Sequence, residues 1–231
     1  MLLKLTTKHL FKMKDYLKIT NEDNMKLMSR YEDNYFDLAI VDPPYGIDLA
    51  NMNMGIGKTP KASKSKNRKW KAKNWDNAIP TKEYFNELFR VSKNQVIWGG
   101  NYFDLPPCGK FILWDKQIPE GLSFSDCEYA WTSFKGANKM FRYSAYKNKS
   151  EKFHPTQKPP TLYEYCIMKL AKQGDKIIDT HLGSGSIAIA IDNVNKIEQM
   201  NLELTACELD KEYFDSAIKR IEQQTKQQKL F

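Results

Sequence analysis

With 231 residues, the chain can form one sizeable hydrophobic core but not two, and its 41% of hydrophobic residues exclude a disordered protein. No apolar run approaches the ~18 residues of a membrane span, so we expect a cytoplasmic protein without membrane contact. The net charge is +8, which favours an acidic partner, and the four cysteines are too widely spaced for a zinc site or a disulfide framework. No metal is therefore expected.

Strands and helices alternate along the chain. The predicted strands lie at 16–20, 36–41, 94–100, 109–115, 127–134, 140–146, 175–180 and 204–210. The predicted helices lie at 23–31, 81–91, 161–172, 187–194 and 212–224. This alternation predicts an α/β fold with a largely parallel sheet.

The stretch "AIVDPPYGID", at 39–48, ends an apolar strand with a carboxylate and two prolines. Each proline fixes its own φ, lacks an N–H and restricts the residue before it. Asp42, Pro43, Pro44 and Tyr45 should therefore form a stiff arc that holds a carboxylate, a free carbonyl and an aromatic ring at fixed positions. Such an arc has what is needed to grip a flat group that bears an amine.

The segment 47–75 has no periodicity and is too long for an ordinary connection, so we interpret it as a functional loop. Eight basic residues and no acidic residue lie between 58 and 73: Lys58, Lys61, Lys64, Lys66, Arg68, Lys69, Lys71 and Lys73. The other 28 basic residues of the chain equal its 28 acidic residues. A basic loop on an otherwise neutral chain is typical of a nucleic-acid contact, because neutralised phosphates release counterions; the alternative is a solvated loop.

A second motif, "DKIIDTHLGSGSIAIAI" at 175–191, predicts a strand, a tight glycine turn and a helix. Gly183 and Gly185 permit unusual φ values and let a ligand approach the backbone. Asp179 ends the strand, where its carboxylate would attract an ammonium and repel a pyrophosphate. Glu208 ends the next strand, where it suits ribose hydroxyls. An amino acid joined to a ribose describes S-adenosylmethionine better than NAD, and the alternative is a purely structural turn.

Three motifs together carry a family resemblance: "DPPYG" at 42–46, "HPTQKP" at 154–159 and "DTHLGSGS" at 179–186. Their combination closely resembles the amino-group DNA methyltransferases, which methylate adenine N6 or cytosine N4. The catalytic motif precedes the cofactor motif, which is the permuted order of the beta class. The resemblance covers roughly residues 15 to 220, and "VIWGGNYF" at 96–103 is also similar to a segment common in this family.

The resemblance implies a single domain over 1–231 with the S-adenosylmethionine-dependent methyltransferase (Rossmann-like) fold, a mostly parallel twisted sheet flanked by helices. It implies a site-specific enzyme that moves a methyl group from S-adenosylmethionine to the N6 amino group of adenine in DNA. The base would be flipped out of the duplex, and transfer would be direct, without a covalent intermediate. Asp42 and the Pro43 carbonyl would accept the two amino hydrogens, and Tyr45 would stack on the base.

The resemblance also assigns the cofactor site. Gln157 and Lys158 of "HPTQKP" would flank the cofactor, and Asp23 would either contact it or cap a helix. Most relatives have Asp-Pro-Phe where this chain has Asp-Thr-His, which changes the packing around the cofactor. The candidate cofactor-binding residues are Asp23, Gln157, Lys158, Asp179, His181, Leu182, Gly183, Ser184, Gly185 and Glu208.

Two other functions stay open. A cytosine-N4 methyltransferase would use the same residues, although "DPPY" is more typical of the adenine enzymes of this family. A catalytically inactive DNA-binding relative would keep the fold alone. The aromatic-rich region 104–150 is the candidate for target recognition. Besides DNA, the partners that we consider are a second copy of the chain and a cognate restriction nuclease.

Overall fold

The computed structural model describes residues 14–47, 76, 78–119, 125–145 and 156–226. The eight residues of the basic loop and parts of the region 104–150 therefore lie outside the described residues. Within the described ranges, no helix is both long and apolar enough to cross a membrane.

Eight strands form a single sheet in the described part of the chain. They are β1 (Leu17–Thr20), β2 (Leu38–Val41), β3 (Gln95–Trp98), β4 (Lys110–Asp115), β5 (Cys127–Thr132), β6 (Lys139–Arg142), β7 (Lys176–Asp179) and β8 (Glu203–Cys207). The helices are α1 (Asn24–Met28), α2 (Lys82–Val91), α3 (Pro160–Leu170), α4 (Ser186–Glu198) and α5 (Lys211–Lys226), and a short 3₁₀ helix follows β3 at Gly100–Tyr102. Each predicted strand and helix is present at its place in the chain.

The strands lie in the order β1-β8-β7-β2-β3-β5-β4-β6. The first five are parallel to one another. β5 is antiparallel to both of its neighbours, β3 and β4, and β6 is parallel to β4. The predicted α/β fold with a mostly parallel sheet is therefore confirmed, and β5 is the single strand of reversed direction in the described sheet.

The central strands of the sheet are buried on both faces, so the fold has three layers. All four residues of β2 are buried. Leu38 and Ile40 pack in the hydrophobic cluster on the side of α3, α4 and α5. Ala39 and Val41 pack in the hydrophobic cluster on the side of α1 and α2. Alternate residues of a strand face opposite sides, which explains the division. Continuous apolar strands of this kind are typical of parallel sheets covered by helices.

Candidate active site

The acidic residues of the two motifs meet at one edge of the sheet. β2 and β7 are neighbouring parallel strands in which Ala39 pairs with Ile178, so their carboxyl ends lie side by side. Asp42 follows β2, and Asp179 is the last residue of β7. Glu208 follows β8, the other neighbour of β7. Ligands of open α/β sheets bind at this edge, where parallel strands end.

Asp76 fixes the arc that follows β2. Its Oδ1 accepts a hydrogen bond from the backbone N–H of Tyr45 at 2.7 Å and another from that of Gly46 at 3.0 Å. Asp76 is fully buried, at 0% exposure. Because Pro43 and Pro44 have no N–H, Tyr45 and Gly46 carry the first backbone donors after Asp42, and one carboxylate oxygen satisfies both.

A buried lysine joins this arc to the "HPTQKP" motif. Lys158 Nζ donates to Asp42 Oδ2 at 2.5 Å and to the Tyr45 hydroxyl at 3.2 Å. The Tyr45 hydroxyl donates in turn to Asp42 Oδ1 at 2.6 Å. Lys158 Nζ also lies 3.0 Å from Glu128 Oε2, and the lysine side chain is only 2% exposed. Lys158, predicted to flank the cofactor, thus contacts the predicted catalytic carboxylate directly.

The charges in this group depend on one another. Burial raises the pKa of Asp42, and Lys158 only partly counteracts it. Burial acts to lower the pKa of Lys158, but Asp42 and Glu128 outweigh it and raise that pKa. Burial likewise acts to raise the pKa of Glu128, but Lys158 and Lys116 outweigh it and lower that pKa. Lys158 therefore stays a cation between two carboxyl groups, of which Asp42 retains a proton more readily.

The ring of Tyr45 is packed between residues that follow β3. It stacks on Tyr102 with 4.9 Å between ring centroids and 11° between planes, and it meets Phe103 edge-on at 6.2 Å. Gly99 adopts a φ of +69°, and a β-carbon there would stand 2.2 Å from Tyr45 Cε1. Tyr102 is 42% exposed, so a solvent-facing aromatic ring covers the ring that the sequence assigns to base stacking.

The glycine turn lies against Glu208. The backbone N–H of Gly183 donates to Glu208 Oε2 at 2.9 Å, and Gly183 has a φ of +53°. Gly185 has a φ of +75°, and a β-carbon there would stand 2.8 Å from Ile221 Cδ1 of α5. Gly185 therefore permits close packing of α5 against the turn, whereas Gly183 brings the backbone to the carboxylate at the sheet edge.

Asp179 is a buried carboxyl group at 2% exposure. It accepts a hydrogen bond from the backbone N–H of His181 at 3.0 Å, and burial raises its pKa to about 8. Burial lowers the pKa of His181 to about 4, so this imidazole is neutral at pH 7. The ring nitrogens of His181 lie 3.1 Å from Asn24 Nδ2 and 2.9 Å from Thr180 Oγ1. His181 therefore stabilises the turn through hydrogen bonds and not through a charge.

The family of the chain follows from its similarity to known proteins. The family model described as DNA methylase, of the N6 and N4 class, matches residues 58–219. The chain belongs to this family of DNA methylases. The matched segment contains Lys158, Asp179 and Glu208 and begins after Asp42.

The similarity to individual relatives also covers the motif around Asp42. The type II methyltransferase M.HpaI of Haemophilus parainfluenzae is 24% identical over 241 residues, which are 85% of this chain and 76% of the relative. The crystal structure of the M1.HpyAVI–SAM complex superposes with a TM-score of 0.56 at 18% identity and covers 89% of this chain and 98% of that one. The PvuII DNA methyltransferase, described as cytosine-N4-specific, superposes with a TM-score of 0.53 at 12% identity, covering 91% and 93%. The methyltransferase fold predicted from the sequence is therefore confirmed.

The other predicted cofactor residues of the methylase lie around the glycine turn. Leu182 is buried and donates from its backbone N–H to the Cys207 carbonyl at 3.0 Å. The Ser184 carbonyl accepts from Arg220 at 2.8 Å. Gln157 is 8% exposed and precedes Lys158. Asp23 caps α1 by accepting from the Lys26 N–H at 3.1 Å, so it serves the helix that begins just after β1.

Two residues of the site were missed by sequence analysis. Asp76 directly follows the segment 47–75, and Glu128 lies in a strand of the region 104–150, which was assigned to target recognition and not to the catalytic site. Because β5 runs antiparallel, its first residues lie at the edge where the parallel strands end, and this brings Glu128 to Lys158. Neither residue lies in a motif of the sequence, so only the topology reveals them.

Proposed function

We propose that the chain transfers a methyl group from S-adenosylmethionine to the N6 amino group of adenine in DNA, with the base flipped out of the duplex. The observation that carries this proposal is the side-by-side placement of Asp42 and Asp179 at the ends of the adjacent strands β2 and β7. Asp42 belongs to the arc, which is suited to binding an amine. Asp179 lies at the glycine turn, which is suited to binding a cofactor with an amino-acid moiety.

The residues around the turn fit the proposed cofactor. The pKa of Asp179 is raised by burial and by the neighbouring carboxyl groups, and a bound ammonium would favour its charged form. Among the described residues, no basic side chain forms an ion pair with Asp179. Glu208 accepts from the turn and offers acceptor lone pairs to ribose hydroxyls at the neighbouring strand end. When bound, S-adenosylmethionine supplies a methyl group on a cationic sulfur.

Asp42 orients and activates the amine in this proposal. An exocyclic amine is a poor nucleophile because its lone pair is delocalised into the ring. Asp42 and the Pro43 carbonyl accept its two hydrogens out of the ring plane, which favours a pyramidal nitrogen with its lone pair toward the methyl group. The amine nitrogen must lose one proton when it is methylated, and Asp42, whose pKa is raised by burial, would accept this proton.

The aromatic residues beside Asp42 support base binding. Tyr102 is stacked on Tyr45 and is itself exposed, so the outer face of this parallel pair offers a surface for a flipped base. We place DNA contact in the basic loop, and target recognition in the region 104–150. A homodimer and a cognate restriction nuclease stay predictions.

Cytosine N4 is the second candidate for the methylated atom. The fold similarity to the PvuII enzyme, described as cytosine-N4-specific, favours it, and either amine satisfies the acceptors of Asp42. The test is to methylate unmodified DNA with the purified protein, digest it to nucleosides and identify the products by mass spectrometry. We expect N6-methyladenine. N4-methylcytosine alone would reject the adenine assignment, and no methylated base at all would favour the inactive relative.

A further inference from the structure

Both carboxylate oxygens of Asp42 are engaged within the protein. Tyr45 donates to Oδ1 at 2.6 Å, and Lys158 donates to Oδ2 at 2.5 Å. Each oxygen keeps a second lone pair, but both donors compete with a substrate amine for the carboxylate, and the amine is accepted in better geometry where one of them gives way. Lys158 is the stronger competitor, because its ammonium forms a charge-assisted hydrogen bond.

Lys158 cannot leave Asp42 for solvent. Its side chain is 2% exposed and its Nζ lies 5.4 Å from the ring centre of Trp98, so the ammonium is enclosed by protein. An ammonium left unpaired in such surroundings is strongly unfavourable. The lysine therefore needs a second anionic partner within the same enclosure.

Glu128 has the properties of that second partner. Its Oε2 lies 3.0 Å from Lys158 Nζ, so the two groups already form an ion pair, but this buried oxygen lacks a hydrogen bond of good geometry. Its Oε1 lies 3.4 Å from Lys116 Nζ, which holds the carboxylate in place from the side of β4. A small shift of the ammonium would complete the missing hydrogen bond of Oε2.

We propose that Glu128 is a positioning residue, which receives the Lys158 ammonium when a substrate amine takes its place at Asp42 Oδ2. The inference rests on the proposed function and adds an exchange of partners to it. Without substrate, Lys158 donates a hydrogen bond to Asp42 and forms only an ion pair with Glu128. With substrate, Lys158 donates its hydrogen bond to Glu128 instead, so Asp42 can accept from the amine while the ammonium remains paired. Glu128 does not touch the reacting atoms and acts through Lys158.

A double-mutant cycle tests the exchange. Glu128→Gln keeps the shape of the side chain and removes its charge, so Lys158 should stay on Asp42 and compete with the amine. We expect turnover at saturating DNA to fall by ~10-fold, the size of coupling found between contacting charged groups, with S-adenosylmethionine affinity unchanged. In a Lys158→Met background, where no ammonium competes, Glu128→Gln should cause no further loss.

The controls separate this exchange from a loss of stability. Glu203 forms an exposed ion pair with Lys18 at 3.0 Å, away from the predicted site. Glu203→Gln removes this carboxylate and should leave turnover unchanged. If Glu128→Gln does not fold, the double variant, which removes the charges of Glu128 and Lys158, is compared with Lys158→Met alone; equal turnover is expected, and a further loss in the double variant would overturn the inference. Equal losses in both backgrounds, or no loss in either, would overturn the inference. An inactive wild-type protein would instead reject the proposed function.

Discussion

Gly99 lies against the ring of Tyr45, so that a β-carbon at Gly99 would stand 2.2 Å from Tyr45 Cε1 and 2.6 Å from Cδ1. Real β-carbons do not approach other atoms so closely, and therefore the ring must move if Gly99 is replaced. The Tyr45 hydroxyl bonds both Asp42 and Lys158, so a moved ring also disturbs the charged group beside it. The glycine after β3 thus helps to set the geometry of the predicted catalytic arc.

Gly99→Ala should reduce methyl transfer strongly, by ~10-fold or more, because it displaces a positioned aromatic ring and the hydroxyl that it carries. Gly174→Ala is the matched control: Gly174 also has a left-handed φ, +81°, but a β-carbon there meets nothing within 4 Å. Both variants carry the backbone strain of ~1–2 kcal/mol, which appears in thermal unfolding. Equal turnover in the two variants would show that the Gly99–Tyr45 contact does not matter for activity.

Asp42→Asn should lower turnover by at least ~100-fold, the loss expected when a positioned electrostatic group is removed. The amide keeps the shape of the carboxylate, and the Tyr45 hydroxyl can still donate to its oxygen, so the fold should persist. Turnover is measured with radioactive S-adenosylmethionine, and circular dichroism checks the fold. Substantial activity in a folded Asp42→Asn protein would reject the catalytic assignment of Asp42.

The raised pKa of Asp179 predicts a pH-dependent cofactor affinity. With a pKa of about 8, this carboxyl group is mostly protonated at pH 7, and a cationic amino group must expel the proton to pair with it. The affinity for S-adenosylmethionine should therefore rise with pH, by up to ~10-fold per unit between pH 6 and 7.5. Calorimetry in buffers of different ionisation enthalpy should detect the released proton.

Asp179→Asn is the control for this pH dependence. The variant should bind S-adenosylmethionine more weakly, and its affinity should lose the slope with pH over the same range. A slope that persists in the asparagine variant would assign the titration to another group.

Thermal unfolding without ligand gives an independent measure of the Asp179 titration. Because the pKa in the folded protein exceeds the ordinary value of 3.8, the group contributes stability that is present at acidic pH and lost as the pH rises through about 8. We therefore expect Asp179→Asn to gain melting temperature relative to the wild type as the pH is raised from 5 to 9. A constant difference between the two proteins would contradict the raised pKa.

Neutralising the basic loop should weaken DNA binding to a similar degree on all sequences. If Lys64, Lys66, Arg68 and Lys69 contact phosphates, changing all four to Gln should make the slope of log affinity against log salt shallower by up to ~3.6. Fluorescence anisotropy over a salt series measures this slope. An unchanged slope would mean that these residues do not contact DNA, and S-adenosylmethionine affinity should be unaffected in either case.

The amino-acid sequence determined the elements and the two motif turns. The alternation of buried strands and helices predicted the α/β fold, and residues at or just after the ends of strands β2, β7 and β8 carry the acidic groups of the site. Such predictions succeed because they depend on local features: apolar runs, prolines that fix φ, and glycines that allow a left-handed φ.

Only the tertiary structure decided which distant side chains complete the site. Lys158 reaches Asp42 across 116 positions of the chain, Asp76 closes the arc from 30 or 31 positions away, and Glu128 reaches the same edge because β5 is antiparallel. Strand order and direction are set by the packing of the whole core, and no local pattern in the sequence specifies them. Motifs thus predicted the chemistry of the arc and the turn, while the topology of the sheet determined the buried ion pairs that hold them.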